Sequence, residues 1–503
     1  MEHILVIDVG TSSLKAMLYN NSGGLLFRSS QEYHSEVFHN NRVEQSAFSW
    51  KDALLYTLTE TGKFVHDKKI DVVAMSVTSQ RASVIPVTRE GEPLHKAIMW
   101  QDKRSVEQCN QLSQHLSLRD IYLRTGLRLN PYFSVPKMMW LKDNEPEIFS
   151  QTHKMLGVQD YVIYLLTNKF ITDWTQACRT MLMNITSFKW DEDLLRHTGI
   201  SVDLLPELVP PGSVAGPLTK EISELTGLPL GIPVIIAGGD QQCAALALNV
   251  LRPGDAEANT GTGSFAIAYS DQAQFDDECR TLCSAAAIPG KWIVEAGIFN
   301  SGSIHRWFRE EFYPEGENVY DLMNEEAAQS PVGSNGVMLL PHFEGSAAPY
   351  WNPMAKGMFF NLSLATKRCD FTRSILEGIA LEIKSNLSLI ENLIGDISMV
   401  SVAGGLTTLE LFNQIQSDAF NKIVIRYDNN EASSLGALMS AGVTIKIYTD
   451  YDAALKKIST TDPLVYHPDV VDVEKYAKLF IRKNALYQSM NQHGVYDLFK
   501  EVL

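Results

Sequence analysis

Two short turns and one carboxylate are where this sequence could do chemistry. Ile4-Leu5-Val6-Ile7-Asp8-Val9 reads as a buried strand running into Gly10-Thr11-Ser12-Ser13, and Leu14 to Tyr19 reads as the strand returning. About half the chain later, Glu257 to Thr260 leads into Gly261-Thr262-Gly263-Ser264 and an apolar return through Tyr269. Small residues in a hairpin turn let backbone N–H groups approach an anion, and Thr or Ser hydroxyls add donors. A lone turn of this kind is most often just a turn. The pair reads as a weak internal duplication with one phosphate-type loop per half. Between them, Val234-Ile235-Ile236-Ala237 ends at Gly238-Gly239-Asp240, which sets a carboxylate at a strand tip where it can project into a cleft. The competing local reading makes Asp240 the cap of a helix starting at Gln241.

The elements that must hold these groups alternate. Asp71 to Ser79 is a second buried strand, and Phe48 to Lys69 before it carries Trp50, Leu54, Leu55, Leu58 and Phe64 at helical spacing. Leu204 to Pro233, rich in proline and glycine, reads as a loop-rich approach to the strand before Asp240. Gln241 to Leu251 has helical character and stops at Arg252-Pro253-Gly254. Further on come a strand over Met399–Ala403 ending at Gly404-Gly405, a helix over Leu409–Asn421, a strand over Ile423–Ile425 and a small-residue helix over Glu431–Gly442. The charged tail beyond Tyr451 reads as helical and as a peripheral cap. Strands alternating with helices give an α/β class.

The 503 residues, 45% apolar and 20% charged, suit a soluble chain with two large domains. A formal charge of −16 repels nucleic-acid phosphates and anionic lipid, so neither is expected as a partner. The cysteines at 109, 178, 243, 279, 283 and 369 form no CxxC pair and no zinc set, which fits a reducing compartment. No stretch approaches the ~20 apolar residues of a membrane span, and the N-terminus carries no signal pattern, so a cytoplasmic location is expected.

Two longer segments carry a resemblance. Tyr132-Phe133-Ser134-Val135-Pro136-Lys137-Met138-Met139-Trp140-Leu141-Lys142-Asp143-Asn144 and Gly345-Ser346-Ala347-Ala348-Pro349-Tyr350-Trp351-Asn352-Pro353 resemble the two signatures of the FGGY carbohydrate kinases, and the pattern is nearest to the glycerol kinases among them. The likeness runs in order from Ile4 to about Gly442. It implies two actin-like, ribonuclease-H-like α/β domains around a central cleft, a first over residues 1–245 with the substrate pocket and first phosphate loop, and a second over 246–503 for the nucleotide, with a helical tail. It implies ATP and Mg²⁺ as cofactors and phosphorylation of an alcohol on a small polyol or sugar.

Moving a γ-phosphoryl group to an alcohol needs held phosphates, a bridging metal and a base for the hydroxyl proton. By resemblance, Asp240 is the base and Asp8 the metal partner. Gly10, Thr11, Ser12, Ser13, Lys15, Gly261, Thr262 and Gly263 hold phosphate, and Gly404 and Gly405 form the adenosine-side loop, with Ala403 where the family often has Asp. Arg81, Trp100, Tyr132, Asp240 and Phe265 match the glycerol pocket, but Ala82 stands where that pocket has Glu. A lost carboxylate forfeits charge-assisted bonds of roughly 1.5–3 kcal/mol each and opens volume. The expected acceptor is therefore glycerol or a related polyol, with a ketose such as xylulose or ribulose as the alternative. The rivals are a non-enzymatic actin/Hsp70-like ATP switch and a Rossmann dehydrogenase, the latter disfavoured because no GxGxxG follows the first strand. A small-molecule polyol or sugar is the expected partner, in a chain compatible with a homodimer or tetramer.

Overall fold

The computed structural model describes residues 2–39, 41–427, 431–459 and 462–499. Its first half is built on β1 (His3–Val9), β2 (Ser13–Asn20), β3 (Leu25–Glu32), helix α1 (Ala47–Lys68), β4 (Val72–Ser79), β5 (Ser213–Pro217) and β6 (Pro233–Gly239), which runs directly into α2 (Asp240–Ala247). The sheet order is β5-β6-β4-β1-β2-β3. β1 is buried on both faces, so its side chains divide by parity. Leu5, Ile7 and Val9 join the core beneath α1, whose Trp50, Leu54 and Leu58 recur at every fourth residue. Ile4 and Val6 join a second core with Leu246 of α2.

The second half repeats the plan. Its strands are β7 (Asp255–Thr260), β8 (Ser264–Ser270), β9 (Leu282–Ala285), β10 (Trp292–Ile298), β11 (Met399–Ala403), β12 (Ile423–Arg426) and β13 (Leu464–Tyr466), in the order β9-β10-β8-β7-β11-β12-β13. In each half a hairpin opens the sheet: β1/β2 and β7/β8 are antiparallel. A third antiparallel strand pairs with the second, and two parallel strands continue on the other side of the first. The shared order makes the duplicated turns structurally equivalent.

Helix α3 (Arg368–Ile394) fills the core of the second half, but α4 (Ala432–Thr444) does not stay there. Ala437, Leu438 and Met439 pack with Ile4, Val6 and Leu246 on the first sheet. The run of small residues is what permits this: a Cβ at Gly436 would lie 1.7 Å from the Cys243 carbonyl oxygen of α2.

Two expectations are corrected. The 204–233 segment is not simply loop: it holds edge strand β5, which pairs antiparallel with β6, and a helix over Lys220–Thr226. Pro217 and Pro233 sit at strand ends, where a missing N–H costs the ladder nothing. The tail is not a peripheral cap. α5 (Val470–Gln492) buries Tyr476, Lys483 and Tyr487 against the second half. Lys483 is ion-paired with Glu382 of α3 and donates to Ser385 Oγ at 2.8 Å. A buried lysine with two partners looks like a solvated one in sequence.

Candidate functional site

The strand tip at the end of β6 is firmly held. The Gly239 N–H donates to Thr175 Oγ1 at 2.8 Å, and that hydroxyl donates to buried Asp173 at 2.5 Å. Thr78 Oγ1 donates to the Gly238 carbonyl at 2.8 Å. Asp240 is therefore not the helix cap. Gly239 takes that position, and Asp240 is the first residue of α2. Its carboxylate accepts from the Gln241 N–H at 2.8 Å and keeps 34% of the side chain exposed. Arg81 Nε stands 3.6 Å from Asp240 Oδ1, and its guanidinium also hydrogen-bonds Gln241. Arg81 lies so close along the turn that a Cβ at residue 239 would stand 2.4 Å from its Cδ. Burial of the carboxyl raises Asp240 above the usual carboxylate range, opposed by the Arg81 charge.

A second group forms around Trp100. Its Nε1 donates to Thr11 Oγ1 at 3.2 Å, joining this tryptophan to the 10–13 turn. The Trp100 and Tyr132 rings meet edge to face, 5.6 Å apart at 63°. Tyr132 is fixed from below by Lys137, which is fully buried and donates to the carbonyls of Pro131, Tyr132 and Phe133. Burial pulls this ammonium down to about 7, opposed by the Asp102 charge. Ala82 is buried with φ 68°, and beside it lies a cavity of about 20 Å³, room for a water molecule, lined by Ser83, Asp160 and Gln176. Phe265 is not in this cluster. It stands half-exposed on β8, opposite Gly297 of β10.

On the phosphate side, the Gly10 N–H bonds the Ser13 carbonyl at 3.0 Å, closing the first turn, and Ser12 is exposed. Asp8 lies opposite Lys15 across the hairpin. Lys15 is paired with Glu431 at 2.8 Å, and Ser434 of α4 donates to Asp8 at 3.3 Å, so the second half reaches the first turn through α4. Burial, with Asp240 nearby, pushes Asp8 up to about 6, partly offset by Lys15. A desolvated carboxylate of this kind gains most from a cation. Mg²⁺ characteristically takes one or two carboxylates and completes its shell with phosphate oxygens and water, so Asp8 fits such an ion without a larger protein cage. Among the described residues no cluster of three or more His, Cys, Asp or Glu forms a fuller cage.

In the second half, Gly261 and Thr262 are exposed, and their carbonyls accept from the Gly302 and Ser301 N–H groups at 3.0 and 2.9 Å. β11 runs beside β7 with Asn259 opposite Ala403. Thr260 Oγ1 donates to the Ala403 carbonyl at 3.1 Å. Gly404 and Gly405 are thereby set next to the 261–263 turn. Two residues near the pocket were not anticipated: Lys137, and Arg179, which is buried and paired with Glu295 of β10. Lys137 lay in a quoted signature, but its carbonyl acceptors are backbone groups that no residue type reveals. Arg179 had no periodic partner in sequence.

Residues 3–247 match the N-terminal domain of the FGGY family of carbohydrate kinases, and residues 256–445 match its C-terminal domain. The chain belongs to this family. The FGGY kinase is 29% identical over 469 residues to a gluconokinase of Bacillus subtilis, covering 91% of each chain. It is 30% identical over 506 residues to a glycerol kinase of Thermococcus onnurineus, covering 98% of this chain and 99% of the relative. Its fold superposes with a TM-score of 0.90 on a ligand-bound xylulose kinase of Lactobacillus acidophilus, at 24% identity over 98% of this chain and 99% of that one. The FGGY kinase thus has the two-domain, actin-like ATPase fold, and it is an enzyme. The readings as a non-enzymatic switch and as a dehydrogenase are set aside. Glycerol is not favoured over the other acceptors that these relatives' names carry. No helix among the described residues is long and apolar enough to cross a membrane.

Proposed function

We propose that this FGGY kinase transfers the γ-phosphoryl group of ATP to a hydroxyl of a small polyol or sugar, with Asp240 as general base. The acceptor oxygen forms a bond to phosphorus as the bond to the ADP oxygen breaks, and the hydroxyl proton passes to an Asp240 carboxylate oxygen. The observation that carries this is the Asp240–Arg81 arrangement: a partly open carboxylate at a braced strand tip, with a guanidinium nitrogen 3.6 Å away whose charge opposes the upward pull of burial. Arg81, Trp100, Tyr132 and Phe265 orient the acceptor, with Lys137 holding Tyr132 in place. The 10–13 and 261–263 turns take the phosphates and Gly404-Gly405 the adenosine side. Asp8 would hold Mg²⁺, which neutralises phosphate charge when bound. Lys15 serves the transferred phosphate, and its ion pair with Glu431 must give way for it to do so. We also propose a division near residue 245 and closure of the cleft around both ligands, which excludes water from the transfer.

The acceptor class is tested by coupled ADP release and by ³¹P NMR of the product with glycerol, erythritol, D-gluconate, D-xylulose and D-ribulose. Turnover that depends on one of these supports the reading. ATP hydrolysis of equal rate with and without every acceptor counts against it.

A further inference from the structure

The Arg179–Glu295 pair spans the two halves of the molecule. Arg179 sits in the turn Cys178–Thr180, and Glu295 on β10. Arg179 Nη2 donates to Glu295 Oε2 at 2.9 Å, and Nη1 donates to Ser284 Oγ of β9 at 3.2 Å. The two side chains are 4% and 2% exposed, so this is no surface pair. Glu295 lies opposite Ile267, two residues along β8 from Phe265, which lies opposite Gly297. Glu295 therefore shares a sheet face with Phe265, to which the proposed function gives a part in orienting the acceptor. On the other side, the guanidinium lies over the Phe133 ring, 5.8 Å from its centre, directly after Tyr132.

The pair is also joined electrostatically to the base. The charges of both Arg81 and Arg179 act on Asp240, and both act on Glu295. Among the described residues, Arg179 Nε and Arg81 Nη1 are buried without a hydrogen-bond partner, so this network is not built for maximal satisfaction. A buried ion pair commonly adds less stability than apolar side chains of the same size. Its place here is better explained by what it aligns.

We propose that Arg179 and Glu295 are positioning residues for phosphoryl transfer: their ion pair seats the Phe265-bearing sheet of the second half against Arg81 and Asp240 of the first. The pocket wall and the base are assembled by one contact. This rests on Asp240 being the base. The charged and titratable groups around Asp240 are Arg81, Arg179, Asp8 on β1 and Cys243 on its own helix, with Glu295 reached through the two arginines.

The test compares Arg179→Met, Arg179→Lys and Glu295→Gln with wild type. Each is assayed with whichever of glycerol, D-gluconate and D-xylulose the wild type phosphorylates best, and melting temperatures are read in parallel. Arg179→Met loses the seating contact and removes a positive charge that favours the ionised form of Asp240, so kcat/KM falls at least ~100-fold and its acid limb moves to higher pH. Glu295→Gln leaves the guanidinium unneutralised, and the acid limb moves to lower pH. Arg179→Lys restores the limb but not the full rate, because an ammonium cannot make the two-pronged contact to Glu295 and Ser284. Opposite shifts in the two charge-removing variants support the proposal. Acid limbs fixed at the wild-type pH, with losses that merely follow melting temperature, overturn it. If no acceptor is turned over, the functional reading fails separately, and the seating is judged by small-angle scattering of the ligand-free proteins. A larger radius of gyration in Arg179→Met supports the seating, and an unchanged one overturns it.

Discussion

Asp240, partly open, and Lys137, fully buried, show how differently two charged groups can serve the proposed site. Asp240 is raised by burial and drawn back by the Arg81 charge, and in the proposed mechanism it is the base. Asp240→Asn keeps the shape and removes the proton acceptor, and kcat should fall about 10²–10⁴-fold with little change in melting temperature. A variant that retains full turnover would remove Asp240 from the mechanism. Lys137 never touches the reacting atoms in this scheme. It gathers three carbonyls and so fixes where Tyr132 stands. Lys137→Met leaves those carbonyls buried without a donor. We expect a loss of about 1–3 kcal/mol in unfolding free energy by denaturant titration, and a raised acceptor KM. Asp240 was legible in sequence because a strand, two glycines and an acid form a local pattern. The Lys137 contacts were not, because their acceptors are main-chain atoms brought close by a helix start.

Among the elements, α4 has the most unusual task. It follows the strands of the second half yet packs on the first sheet, and its Ser434 reaches Asp8 while its N-terminal neighbour Glu431 pairs with Lys15. Close approach to α2 is what makes this reach possible. Gly436→Ala places a methyl group against the Cys243 carbonyl, so α4 must shift. The expected cost is about 1–3 kcal/mol by thermal unfolding, and, on the proposed roles of Asp8 and Lys15, weaker ADP binding in calorimetry as their contacts with Ser434 and Glu431 are lost. An unchanged melting temperature would show that α4 can slide freely on α2. The sequence announced a tightly packed helix here through its small residues, but not which sheet it would pack on. That depends on a contact with residues nearly two hundred positions away.

For the whole molecule, acid stability is governed in part where α5 is tied to α3. Glu382 is held down to about 2 by Lys483 and His342, despite a burial that acts in the opposite direction. Its folded value lies below the ordinary glutamate value of about 4.3, so the stability it contributes is fully present above pH 4.3 and is lost as pH falls toward 2. Lys483→Met removes the main partner and strands a buried carboxylate. The variant should lose about 3–5 kcal/mol near pH 7, measured by denaturant unfolding, and the gap from wild type should narrow as pH falls through that window. A gap constant with pH would mean the loss is one of packing rather than charge.

By itself the sequence determined the two hairpin turns, the strand-tip aspartate and the α/β alternation, and the resemblance it carries identified the enzyme class. These are local patterns: backbone period, turn chemistry and residue order express them within a few positions. Only the tertiary structure decided that Gly239 rather than Asp240 caps α2, that α4 crosses to the first sheet, that the tail is locked in by Lys483, and that Arg179 meets Glu295. Each of those depends on atoms distant in the chain, or on backbone groups that every residue shares. Such contacts leave no periodic trace, because packing, not spacing, selects the partner.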